Sequence, residues 1–227
     1  MDKAKSIRAI TLDVGGTLIE PWPSVGAIYG EVARGFGCPD TEPDRLSMAF
    51  GRAWKARQPF DYSRSAWRRL VDQTFEGVSG FAMSDPCFDA IYERFGRAAS
   101  WRVYDDVGPF IQFARRQDIP VGVVSNWDER LRGLLAGLNL LGAFASVIIS
   151  HEVGCHKPAP GIFLRAAHQL KLAPEGILHV GDSREEDFEG SRLAGFQSLW
   201  LRRNGGTSGG SIQSLAELQG LAIFGSK

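Results

Sequence analysis

Residues able to do chemistry together lie in four separate stretches of this chain. Asp13 follows the apolar run "AITL" and precedes Gly15, Gly16 and Thr17; Ser125 and Asn126 follow "VGVV"; Lys157 lies in "GCHKPAP"; Asp182 and Asp187 lie in "HVGDSREED". A carboxylate is costly to bury without a partner, while glycines allow tight turns and close approach of backbone to a ligand. Three acidic groups packed together repel unless a cation sits among them, and hard oxygen donors select magnesium over softer metals. A carboxylate beside magnesium can attack phosphorus. Lys157 can neutralise that carboxylate and a phosphate oxygen, the Ser125 hydroxyl can donate to the phosphate, and backbone amides near Gly15 and Gly16 can cradle it. The set has the composition of a phosphoryl-transfer site.

Such residues must be brought to one place by the elements that carry them. Short apolar runs recur at residues 9 to 14, 119 to 126, 145 to 150, 176 to 182 and 196 to 201, and their brevity and β-branched content predict buried strands. Helical-length segments with apolar residues at three- and four-residue spacing fall between them, at about 107 to 117, 128 to 139, 159 to 171 and 186 to 194. This alternation predicts an α/β fold, a Rossmann-like doubly wound parallel sheet, with ligands at the carboxyl ends of the strands. The candidate residues all stand at those ends.

Residues 21 to 98 break the alternation. Four amphipathic segments there predict an all-helical insertion, with Thr41 and Ser84 as N-terminal caps ahead of early prolines. The expected domains are a core of 1 to 20 and 99 to 227 and an inserted helical domain of 21 to 98. "NGGTSGGS" at 204 to 211 reads as a loop before a last short helix in "IQSLAELQG".

Composition narrows the partners. In 227 residues, 44% of them hydrophobic, Lys plus Arg equals Asp plus Glu at 26 each, so the chain lacks a net field suited to nucleic acid or an anionic membrane. Three scattered cysteines, Cys38, Cys87 and Cys155, argue against a disulfide framework or a thiolate zinc site and for a reducing cytoplasm. The charged N-terminus and the absence of a long apolar run predict neither secretion nor membrane insertion. The expected partner is a small phosphorylated molecule, and the expected assembly a monomer or homodimer.

The four stretches, in this order and on these elements, resemble the four motifs of the haloacid dehalogenase-like hydrolase superfamily. Asp13 with Gly16-Thr17-Leu18 is similar to motif one, Ser125-Asn126 to motif two, Lys157-Pro158 to motif three, and Gly181-Asp182 with Asp187 to motif four. The helical insertion matches the position of the family's first type of cap domain, and "VVSNWDERL" and "HVGDS…D" are nearest to the branch containing dehalogenase-like hydrolase domain-containing protein three. The resemblance implies Asp13 as a nucleophile forming an aspartyl intermediate. It also implies the Gly15 carbonyl and Asp182 as magnesium ligands, and Asp187 as a partner of metal-bound water or of Lys157. Thr17 would support the motif-one turn.

One position departs from the pattern. Phosphatases of the family carry an acid two residues after the nucleophile, where this chain has Gly15, and losing a general acid typically costs about 10²- to 10⁴-fold in rate. Two alternatives follow: a phosphate- and metal-binding protein impaired in catalysis, and a 2-haloacid dehalogenase, whose halide leaves unprotonated. Glu20, near the start of the insertion, is a candidate for supplying the acid, and Trp22 a candidate for lining the substrate pocket. His151 and His156, beside Cys155, read as loop or core histidines. The aromatics Trp54, Trp67, Phe75, Phe88 and Phe95 read as the core of the insertion, and the arginines of "WRR" (67 to 69) and "LRR" (201 to 203) as solvated faces.

Overall fold

The computed structural model describes residues 6–39, 41–57, 60–206 and 209–220. The chain forms two compact units. The first comprises Met1–Ile19, Val103–Glu129 and Asn139–Lys227, and the second Glu20–Arg102 with Arg130–Leu138.

The first unit is built on a six-stranded parallel sheet. Its strands are β1 (Ala9–Leu12), β4 (Val121–Ser125), β5 (Ser146–Ile149), β6 (Ile177–Gly181), β7 (Gln197–Leu201) and β8 (Ser211–Ile212), in the spatial order β5-β4-β1-β6-β7-β8. Every residue of β1, β4, β5 and β6 is buried, as befits strands covered on both faces. Helices α5 (Val107–Arg116), α7 (Ser150–Val153), α8 (Pro160–Leu170) and α9 (Gly190–Leu193) accompany the sheet. Ile162, Phe163, Ala166 and Ala167 of α8 pack with Ala9, Val124, Ile148 and Ile177 from four strands. The chain runs outward from β1 to β4 and β5, then returns to β6 on β1's other side. This reversal leaves a crevice at the carboxyl ends of β1, β4 and β6.

The second unit is helical: α1 (Val25–Arg34), α2 (Pro43–Ala56), α3 (Arg64–Glu76), α4 (Asp85–Phe95) and α6 (Leu131–Gly137). Phe75 and Phe88 are buried in its core with Tyr29, Leu46 and Ile91, with Trp67 and Phe95 packed against them, while Trp54 stacks on Trp67 at 5.7 Å. The chain enters this unit along β2 (Ile19–Pro21) and leaves along β3 (Trp101–Val103), which form their own two-stranded sheet.

Several local expectations need correction. Ser84 caps α4, its hydroxyl accepting from Cys87 N, but Thr41 does not cap α2: its hydroxyl donates to Pro39 O, and Glu42 takes the cap position ahead of Pro43. The segment expected as a helix over 186 to 194 begins as a wider π-helical turn, Arg184–Glu189, because Asp187 N and Phe188 N both donate to Ser183 O. "IQSLAELQG" is shorter in helix than expected. Ile212 pairs with β7, and Glu217 Oε1 accepts from the Gln213 and Ser214 amides to start a 3₁₀ turn at Leu215–Gly220. Thr207 and Ser208 of the expected loop, and residues 1–5 of the charged N-terminus, lie outside the described residues.

Close packing within the helical unit rests on one glycine. A Cβ on Gly26 would come within 1.9 Å of Pro43 O and 2.6 Å of Ser47 N, both backbone atoms of α2. Gly26 N also donates to Ser47 Oγ at 3.1 Å. Gly26→Ala must push the two helices apart and is expected to lower unfolding stability by about 1–3 kcal/mol, checked by urea denaturation.

Candidate active site

The site is assembled from strand ends of the sheet unit. Asp13 follows β1, where its amide donates to Val180 O of the neighbouring β6 at 3.0 Å. The chain then turns sharply: Val14 O accepts from Leu18 N and Ile19 N, and Gly16 N donates to Ile19 O. Gly16 requires its glycine twice over. Its φ is +73°, and a Cβ there would lie 2.5 Å from Asp182 Oδ2.

Across the crevice, Ser125 ends β4 and its hydroxyl donates to Asp13 Oδ1 at 2.9 Å. Lys157 reaches the same oxygen at 2.6 Å and Asp187 Oδ1 at 2.5 Å. Its side chain is 1% exposed, so one ammonium is shared by two carboxylates away from water. Burial opposes the charge on Lys157, but Asp13 and Asp187 outweigh it and hold the ammonium well above its ordinary range. Burial raises Asp13, with Asp187 adding to the rise and Lys157 resisting it. Burial likewise works against ionised Asp187, yet Lys157 and His179 hold that carboxyl well below the usual range.

Asn126 uses its side-chain amide on protein. Oδ1 accepts from Lys157 N at 2.7 Å, and Nδ2 donates to Lys157 O and to Glu186 Oε2, each at 3.0 Å. It therefore clamps the backbone that carries the lysine.

Asp182 and Asp187 come from the turn after β6. Gly181 lets Asp187 fold back over the strand end, since a Cβ there would stand 2.2 Å from the Asp187 carboxyl carbon. Asp187 Oδ2 accepts from Ser183 N at 2.9 Å. Carboxylate oxygens of Asp13, Asp182 and Asp187 all lie within 4.8 Å of one another. Although Asp182 as a residue keeps solvent exposure, the protein atoms around its carboxyl and the charges of Asp13 and Asp187 push it up to about 8. Such crowding of hard oxygen donors fits a small divalent cation.

Several residues of this constellation were not anticipated. His179, buried in β6, bridges Thr11 Oγ1 of β1 through Nδ1 (2.9 Å) and Asp187 Oδ1 through Nε2 (3.1 Å). Burial lowers its pKa, so the ring is neutral, and the partners assign Nε2–H as donor to Asp187 with Nδ1 accepting from Thr11. Arg203 is not part of a solvated face. It pairs with both oxygens of Asp106 at 3.0 Å, donates to Thr17 O at 2.6 Å, and so holds the turn after Asp13 from the far end of the sheet. Trp127 stands with its ring edge against Gly15. The histidine sits in a run that reads as apolar, and the arginine's partners are remote in sequence. Trp127 had a signal, since it directly follows Ser125-Asn126.

Trp22 and Glu20 belong to the helical unit. Trp22 is 46% exposed with the Arg102 guanidinium 4.0 Å over its ring, and the same arginine pairs with Glu20. His151 is exposed, and the three aspartates are the metal-competent cluster found among the described residues.

A family model described as haloacid dehalogenase-like hydrolase matches residues 7–195. Haloacid dehalogenase-like hydrolase domain-containing protein 3 of Bos taurus is 34% identical over 204 residues, covering 85% of this chain and 81% of the bovine one. Phosphoserine phosphatase of Thermus thermophilus is 34% identical over 222 residues, covering 87% and 89%. The HAD-hydrolase YfnB of Bacillus subtilis, solved bound to magnesium, superposes with a TM-score of 0.77 at 17% identity over 94% of this chain and 97% of that one.

Two measurements check the electrostatics. Lys157→Met strands two buried carboxylates and is expected to cost about 3–5 kcal/mol of unfolding free energy at pH 7.5. The loss should shrink as the pH is lowered, because burial raises Asp13 and a carboxyl that takes up a proton no longer needs the ammonium. Asp182 has the opposite sign from a salt-bridged carboxylate. Because its folded pKa is raised, its ionisation penalty is absent below about pH 4 and complete above about pH 8. Asp182→Asn should therefore stabilise the protein at pH 8 by ~1 kcal/mol after solvent screening, with no gain at pH 4 by urea denaturation.

Proposed function

Because this chain belongs to the haloacid dehalogenase-like hydrolases, in the branch of domain-containing protein 3, we propose that it is a magnesium-dependent phosphatase of a small phosphorylated metabolite with Asp13 as nucleophile. One observation carries the reading: a buried carboxylate oxygen is aligned by both a serine hydroxyl and a lysine ammonium at a parallel-sheet switch point, 2.9 and 2.6 Å away. Magnesium held by Asp13, the Gly15 carbonyl and Asp182 would offset the negative charge of substrate and carboxylates alike.

The chain's own groups do the rest. Asp13 attacks phosphorus and becomes an aspartyl phosphate, which water then hydrolyses. Lys157 and Ser125 hold the nucleophile in line and offer donors to phosphate oxygens, while the Gly16-Thr17 turn presents backbone amides to them. Asp187, whose oxygens accept from Lys157, His179 and Ser183, acts through Lys157 or through metal-bound water. Asn126 fixes the Lys157 loop through both ends of its side-chain amide. The unpaired cysteines support a cytoplasmic setting.

The crowded carboxylates favour phosphate chemistry over dehalogenation, which needs no cation. The test is direct. Wild-type protein with magnesium should hydrolyse phosphate esters, and acid-quenched samples should carry phosphate on Asp13 by mass spectrometry. Asp13→Asn should lower kcat/KM at least ~10³-fold, and chelation should abolish turnover. Activity surviving Asp13→Asn would refute the nucleophile, and chloride release from 2-haloacids without metal would replace the phosphatase with a dehalogenase.

A further inference from the structure

The absence of an acid at position 15 has a structural counterpart in the neighbouring indole. Gly15 does not share the left-handed backbone of Gly16, so conformation alone does not demand glycine there. Space does. A Cβ on Gly15 would lie 3.2 Å from Cζ3 and 3.9 Å from Cη2 of Trp127, on the outer edge of the six-membered ring.

That ring is fixed at its root. Trp127 N donates to Ser150 Oγ at 3.0 Å, Ser150 Oγ donates back to Trp127 O at 3.1 Å, and His151 N donates to the same carbonyl at 3.2 Å. The preceding Asn126 is bound to the Lys157 backbone through both ends of its amide. A carbon edge thus meets the position of a Cβ two residues from Asp13, at the root of any side chain that could bring a proton donor there. It can exclude water there, but it has no acidic hydrogen to give.

We propose that Trp127 determines specificity by filling the proton donor's place, restricting the enzyme to phosphates whose leaving group departs as a stable anion: aryl, enol or acyl phosphates rather than alkyl esters. The inference rests on the phosphatase reading above. In the first step an Asp13 oxygen forms a bond to phosphorus, the phosphorus–oxygen bond to the leaving group breaks, and its electron pair leaves on an aryloxide, enolate or carboxylate with no proton transferred. In the second, water attacks the aspartyl phosphate and the electron pair of the breaking bond returns to the Asp13 carboxylate. The water's protons remain on the released dihydrogen phosphate. An alkyl ester would have to expel an alkoxide, and the missing acid should cost it about 10²- to 10⁴-fold.

The experiment is a leaving-group series with magnesium: acetyl phosphate, 4-nitrophenyl phosphate, phenyl phosphate and glycerol 3-phosphate. In the wild type, kcat/KM should fall steeply with leaving-group basicity, the alkyl ester lying at least ~10²-fold below 4-nitrophenyl phosphate. Gly15→Asp combined with Trp127→Ala should narrow that ratio at least ~10-fold. Gly15→Asp alone should narrow it less, since its Cβ meets the ring. A shallow wild-type slope overturns the proposal without any variant, and a steep slope that the folded double variant leaves untouched overturns the role of Trp127. If no member is turned over and no phosphate is found on Asp13 after acetyl phosphate, the phosphatase reading itself falls and this inference with it.

Discussion

A lysine ammonium withdrawn from water between two carboxylates is the constraint around which the sheet unit is organised. Neither Asp13 nor Asp187 can be buried charged by itself, and Lys157 cannot be buried charged without them. Each arrives from a different segment: the end of β1, the turn after β6 and the loop beyond β5. The parallel sheet makes the meeting possible because its reversal at β1 brings those ends together. The surrounding contacts keep the ions in register. Asn126 clamps the lysine's backbone, His179 ties Asp187 to β1 through Thr11, and Gly181 leaves room for the Asp187 carboxyl.

Charge balance in this cluster is incomplete. One ammonium serves two carboxylates, and Asp182 adds a third whose carboxyl is pushed up to about 8. Three carboxyls that repel one another and offer hard oxygen donors make an arrangement whose charge a small divalent cation would offset. Gly16 contributes from the other side, admitting Asp182 Oδ2 to a distance that no other residue's Cβ would allow.

Much of this was legible from residue order alone. An aspartate directly after a short apolar run, followed by glycines, announces a strand end, and four such stretches in order prescribe the sheet and the meeting of Asp13, Ser125, Lys157 and Asp187 at its carboxyl edge. The less legible parts were of two kinds. His179 and Thr11 lie inside β-branched runs, where a polar residue reads as an interruption; only the β1–β6 register, which sets Thr11 opposite His179, shows that they satisfy one another. Arg203 looked solvated because its partners, Thr17 O and Asp106, are 186 and 97 residues away. Short-range signals also misled at α2, where the threonine expected as a cap turned back onto Pro39 and left Glu42 at the helix start.

The Arg203 contact also bears on the order of events during synthesis. Asp13 leaves a ribosome well before Ser125, Lys157 and Asp187, which lie more than a hundred residues further along the chain, and the guanidinium that fastens the Asp13 turn comes later still. The helical unit, whose segments end at Leu138, can be completed before any of the sheet strands beyond β4 exist. A nascent chain therefore carries Asp13 through the synthesis of more than a hundred further residues without the serine and lysine that hold it in the folded protein, and the buried ion pairs close only after β6 and the turn beyond it have emerged.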